Sequence, residues 1–144
     1  MPGLADSLRQ HVPELIRCSP LSRCLLPAEV LGRLLGVPVH VDPRLIELDF
    51  GAWEGRNWDD VPRAALECWA ADPQGFAPPG GESGAALIHR MHSVRDELVA
   101  SASDVLVVSH GGPLRLLGPM LRGRPPDLMA SPPAFMSLEM VQIP

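Results

Sequence analysis

The run Val105-Leu106-Val107-Val108, followed at once by Ser109-His110-Gly111-Gly112, restricts most strongly how this chain can fold. Four consecutive apolar residues of this kind read as a strand buried on both faces, the habit of parallel sheets. Such a strand needs helices on either side, and the chain supplies them. Leu87, Met91, Val94 and Leu98 recur at intervals of four, three and four, which predicts an amphipathic helix just before the strand. Leu114, Leu116, Leu117 and Leu121 begin another just after it.

The remaining elements follow the same alternation. Leu4, Leu8 and Val12 suit a short helix, and Leu15-Ile16-Arg17-Cys18-Ser19 reads as a brief buried strand ending at Pro20. A helix is expected from Ser19 as N-cap, with Pro20 at the tolerated first position and Gly36 as the stop. Pro27 falls inside it and predicts a kink or a late start, because proline removes a backbone donor. Val37 to Val41 alternates as a short strand, the stretch to Gly55 lacks a helical period and reads as an ordered loop, and Pro62 to Ala71 returns to helix. After the break at Pro78-Pro79-Gly80-Gly81 comes the amphipathic helix, and the tail from Phe135 to Ile143 alternates loosely, as a returning strand would. The fold class expected is α/β with a mostly parallel sheet and a site at the strand carboxyl ends, in a single domain over residues 1–144.

Composition narrows the function classes. A chain of 144 residues with 46% hydrophobic residues suits one soluble globular domain. The net charge of −5 gives no reason to expect nucleic acid or an anionic membrane as partner, and no stretch approaches the ~20 apolar residues of a membrane span. Cys18, Cys24 and Cys68 form no C-x-x-C pair and are odd in number, which argues against a disulfide framework and for a reduced, cytoplasmic setting.

Several residues could carry chemistry. In Ser19-Pro20-Leu21-Ser22-Arg23, an arginine just after a strand can offer a planar fork of donors to a phosphate, although a lone arginine there is commonly a solvated one. His110, between a buried strand and two glycines, would be held rigidly beside the next helix N-terminus, an anion site in outline; the alternative is a packed turn histidine. Glu47, Asp49 and Glu54 are three carboxylates in one loop, and spacing does not choose among them as a general acid. Ser83 suits a helix cap and a substrate-binding hydroxyl equally. His89 and His92 lie three apart on the polar side of their helix, a spacing that reads as a solvated face rather than a metal site.

Three segments in order, Cys18-Ser19-Pro20-Leu21-Ser22-Arg23, Leu45-Ile46-Glu47-Leu48-Asp49-Phe50-Gly51-Ala52-Trp53-Glu54-Gly55 and Val107-Val108-Ser109-His110-Gly111-Gly112, resemble the histidine phosphatase superfamily, also called phosphoglycerate mutase-like. The resemblance implies a three-layer α/β/α sandwich and phosphoryl transfer through a phosphohistidine, with no cofactor or metal. It implies that Arg23 and His110 bind the phosphoryl group and that Glu47 protonates the leaving-group oxygen. Gly80-Gly81-Glu82-Ser83 is similar to a Gly-Glu-Ser segment of the family, which would bring Ser83 to the substrate. The partner implied is a phosphorylated small molecule, and among members the compact chain is more similar to α-ribazole phosphatases or broad phosphatases than to glycerate mutases.

The family's Arg-His-Gly tripeptide, which supplies the nucleophile, does not occur in the 144 residues. His11 and His40 do not stand in a matching context. The expectation is therefore a domain truncated at its N-terminus, short of a central strand, with little or no turnover of its own. The Val105–Val108 strand would then have an unpaired edge that invites a homodimer. A non-catalytic phosphoester-binding protein is the alternative. A serine hydrolase, suggested by Gly81-Glu82-Ser83-Gly84-Ala85, is disfavoured because no histidine follows His110 to serve as base.

Overall fold

The computed structural model describes residues 3–143. A short helix α1 (Leu4–Gln10) leads into strand β1 (Leu15–Cys18), helix α2 (Ser22–Leu35) and strand β2 (Val39–Val41). A long loop and helix α3 (Arg63–Ala71) follow, then α4 (Gly84–Ala100), strand β3 (Val105–Val108) and α5 (Gly111–Leu121). The strands form one parallel sheet in the order β2-β1-β3, with Ile16 opposite Val39 and Leu106, and Cys18 opposite Val41 and Val108.

Alternation along the strands sorts the core into two layers. Ile16, Cys18, Leu106 and Val108 pack with Ala28, Leu25 and Leu31 of α2 on one face. Val105 and Val107 point the other way, against a cluster of Leu45, Leu87, Met91, Val94, Leu98, Leu116, Leu117 and Met120 from α4, α5 and the loop after β2. The α/β/α layering implied by the family resemblance is the one observed. The crossover from β1 to β2 runs through α2 on one face, and the return to β3 runs through α4 on the other. The chain therefore reverses its winding at β1 and β3, and their carboxyl ends flank the crevice where open α/β sheets take ligands.

Four local expectations need correction. Helix α2 starts at Ser22 with Leu21 at the N-cap, because the Ser19 hydroxyl accepts the Leu21 N–H at 3.3 Å and meets His110 instead of capping a helix. The helix then runs through Pro27 without a break and stops at Gly36, whose φ of 70° is left-handed. Strand β3 is packed on both faces but only half-buried at all four residues rather than fully buried, since among the described residues it is a sheet edge. The tail forms no strand over 135–143: Arg122 pairs with Glu139 beside α5, and Phe135 is 95% exposed. Among the described residues, no helix is long and apolar enough to cross a membrane.

An ion network ties the loop after β2 to α4. Arg44 donates to Asp42 at 2.8–3.0 Å, to both Glu97 oxygens at 2.9 Å and to Ser93, while Arg17 on β1 reaches Glu97 at 3.0 Å. Those arginine hydrogen bonds pull the Glu97 carboxyl down to about 2. Burial pushes Asp42 upward, but hydrogen bonds from Arg44 and the nearby arginine charges outweigh it and leave Asp42 below its usual value. Both groups titrate lower in the folded chain than in the unfolded one. Their stabilisation is therefore complete above the unfolded value of about 4 to 4.5 and is lost as pH falls toward 2. Melting temperature should drop through that window, and Arg44→Met should flatten the drop; an equal acid slope in the variant would refute the assignment.

Candidate functional site

The carboxyl ends of β1 and β3 bring together residues almost ninety positions apart. The Ser19 N–H donates to the Val108 carbonyl at 3.0 Å, which extends the β1–β3 ladder by one bond and brings Ser19 beside His110. His110 is the N-cap residue of α5 and is buried. Arg23, the second residue of α2, is exposed and turns its Nε–H toward His110 Nδ1 at 3.2 Å.

These contacts fix the imidazole. Arginine has only donors, so Nδ1 is the acceptor, and the ring proton sits on Nε2, which lies 2.8 Å from Ser19 Oγ. Burial pushes the His110 pKa below its usual value and the Arg23 charge pushes it further; Glu47 opposes and Arg90 assists. His110 is thus neutral at pH 7. Cys24 Sγ lies 3.6 Å from Nε2 and 3.7 Å from Nδ1. Its thiol is raised, chiefly by burial against a smaller lowering by Arg23, so Cys24 is a packed thiol rather than an activated nucleophile.

Glu47 approaches from the loop after β2. Its Oε1 accepts the Leu48 N–H at 2.8 Å and its Oε2 accepts the Gly112 N–H at 3.3 Å, which sets the carboxylate over the first turn of α5. A helix N-terminus favours negative charge there. The approach is close enough that a Cβ on Gly112 would lie 2.1 Å from Oε1. Asp49 and Glu54, the competing carboxylates, accept N–H groups of their own loop, Gly51 and Phe50 respectively. Spacing does not distinguish the three carboxylates, whereas their hydrogen-bond partners differ.

Arg23 and His110 therefore touch, and Glu47 joins them through Gly112. Ser83 is the N-cap of α4 and its Oγ accepts the Ala86 N–H at 3.1 Å; among the described residues it makes no hydrogen bond to the other three. The remaining histidines lie elsewhere: His11 at the end of α1, His40 within β2, and His89 and His92 exposed on α4. Among the described residues, no cluster of three His, Cys, Asp or Glu could hold a metal.

Sequence reasoning missed Arg90. Its guanidinium donates to Glu82 and to backbone carbonyls of the loop that carries Glu47. A signal existed: position 90 falls three after Leu87, on the flank of the buried face of α4.

A parallel α/β sheet that brings an arginine, a buried histidine and a helix N-terminus to one switch point has the architecture of proteins that handle oxyanions. The chain belongs to the histidine phosphatase superfamily (branch 1), whose family profile matches residues 2–137. It is 36% identical over 135 residues to the glucosyl-3-phosphoglycerate phosphatase of Mycolicibacterium vanbaalenii, covering 85% of this chain and 60% of that protein. It is 33% identical over 117 residues to the adenosylcobalamin/alpha-ribazole phosphatase of Salmonella typhimurium, covering 77% and 58%. Among solved structures, the alpha-ribazole phosphatase of Shigella flexneri superposes with a TM-score of 0.72 at 32% identity, covering 81% of this chain and 60% of that one. A mycobacterial glucosyl-3-phosphoglycerate phosphatase in complex with VO3 gives 0.71 at 33% identity, covering 84% and 64%. In each case this chain spans less than two thirds of the relative's length.

Proposed function

We propose that Arg23, His110 and Glu47 form the phosphate-recognition and proton-donating part of a phosphomonoesterase site. The observation that carries this reading is the Arg23–His110 contact of 3.2 Å at the N-terminus of α5. The terminal nitrogens of the exposed Arg23 can fork onto two phosphoryl oxygens, and the α5 N-terminus adds its dipole. With water as the phosphoryl acceptor, Glu47 would donate a proton to the ester oxygen as the P–O bond breaks, so that the alcohol leaves neutral, and would recover a proton from the attacking water as its oxygen bonds to phosphorus to give inorganic phosphate. Alpha-ribazole and glucosyl-3-phosphoglycerate phosphatases among the relatives support a small phosphomonoester as substrate.

His110 is assigned to phosphate binding and not to attack, because Nδ1 receives the Arg23 N–H and Nε2 faces Ser19 Oγ. That same observation favours a second reading, a chain that binds phosphoesters without turning them over. One set of measurements separates the two. Inorganic phosphate is titrated into the chain while the Gly111 and Gly112 amide resonances at the start of α5 are followed, and phosphate release from an aryl phosphate is assayed alongside. Arg23→Met and His110→Ala should each weaken phosphate about tenfold or more, the scale of a charge-assisted hydrogen bond. Release that His110→Ala abolishes supports the esterase; binding without release supports the second reading. Phosphate affinity unchanged in both variants would end both.

A further inference from the structure

We propose that Arg90 is the positioning residue for Glu47, holding the loop after β2 in the one conformation that lays the Glu47 carboxylate over the first turn of α5. The proposal rests on the reading of Glu47 as the proton donor. Its basis is a complete set of donors. Arg90 Nε and one terminal nitrogen fork onto Glu82 at 2.7 and 2.9 Å. The other terminal nitrogen reaches the carbonyls of Arg44 and Ile46, and the Glu47 carbonyl lies at 3.3 Å. All five guanidinium N–H groups are thereby matched, three of them to carbonyls that accept no backbone N–H among the described residues.

The pair is well buried for charges, with Arg90 16% and Glu82 18% exposed. Glu82 fastens the far side of the same loop: its N–H donates to the Asp49 carbonyl at 2.8 Å and its Oε2 receives the Asp49 N–H at 3.4 Å. Arg90, from α4, thus grips the loop before Glu47, and Glu82, two residues ahead of that helix, grips it after. No regular ladder holds Arg44 to Asp49, so this clamp decides where the intervening carboxylate lies. Lysine could not substitute, since three donors on a point charge cannot fork onto a carboxylate and span three carbonyls at once. The Glu82 of the Gly-Glu-Ser segment, which the phosphate site itself does not use, acquires a role here.

The test reads the two amides that donate to Glu47. In the full 144-residue chain, the N–H resonances of Leu48 and Gly112 are compared among wild type, Glu47→Ala, Arg90→Met and Arg90→Lys. Arg90→Met should reproduce at both amides the displacement caused by Glu47→Ala, Arg90→Lys should recover only part of it, and the amides of β1 should stay in place. Inorganic phosphate affinity should fall less than it does in Arg23→Met, because the Arg23–His110 contact does not pass through Arg90. Should Arg90→Met fail to fold through its unpaired Glu82, the double variant Arg90→Met/Glu82→Gln removes both charges and takes the same measurement. A folded variant with Leu48 and Gly112 at their wild-type positions overturns the proposal, as does full recovery by lysine. A wild-type chain that binds no phosphate would refute the proposed site while leaving this comparison decisive for Arg90.

Discussion

Met91→Ala should lower the unfolding free energy by about 2–5 kcal/mol, the range for truncating a fully buried large side chain. Met91 is 0% exposed at the middle of α4, in the cluster that includes Leu45, Leu87, Val94, Leu116 and Leu117. Three elements converge there, so no single helix can move in to close the cavity without dragging another. The cluster also contains Leu45, which anchors the start of the loop that carries Glu47. Val99→Ala on the same helix removes an apolar group that is 44% exposed and should change stability by less than about 0.5 kcal/mol. Denaturant midpoints at constant slope measure both. A Met91→Ala loss no larger than that of Val99→Ala would mean that this layer is loosely packed.

Gly112→Ala separates helix propensity from site geometry. Alanine is the better helix former by about 1 kcal/mol, so propensity alone would stabilise α5. Geometry opposes it locally, because the new methyl would sit 2.1 Å from Glu47 Oε1. The contact is with the free end of a side chain rather than with backbone, so the carboxylate gives way and the helix stays. The expected outcome is a melting temperature at or slightly above wild type and, under the proposed esterase reading, a loss of roughly 10²–10⁴-fold in release from alkyl phosphates, the usual worth of a general acid. Aryl phosphates, whose leaving groups need less protonation, should suffer less. A variant that loses several kcal/mol of stability would show that backbone and not the Glu47 carboxylate had to move.

The parts of this fold that local pattern controls were legible from the chain. The four-three-four spacing of Leu87, Met91, Val94 and Leu98 is the buried face of α4, and Gly36 ends α2 in the left-handed conformation expected of it. Long-range partners were not legible. Ser19 has the look of a helix cap, yet its hydroxyl is engaged by His110, and the helix begins three residues later. Val105–Val108 reads as a fully buried strand, yet each residue is only half-buried, because composition reports what a strand can bury, not where it falls in the sheet. Of the candidate site, the meeting of Arg23 with His110 followed from their positions after strands. Arg90 did not follow, since backbone carbonyls have no signature in sequence.

The pairing of Cys18 with Val108 has a consequence for how errors would spread. Ser19 and His110 stand just beyond that pair, and their 2.8 Å contact exists only in this alignment. Sliding β1 past β3 by a single residue would shift the two groups by about 3.3 Å, beyond hydrogen-bond reach, and would turn the apolar side chains of β1 to the wrong layer. The site has no mechanical tolerance separate from the sheet. Any change that loosens the fit of Ile16 or Leu106 is therefore also a change in the chemistry three or four residues further along.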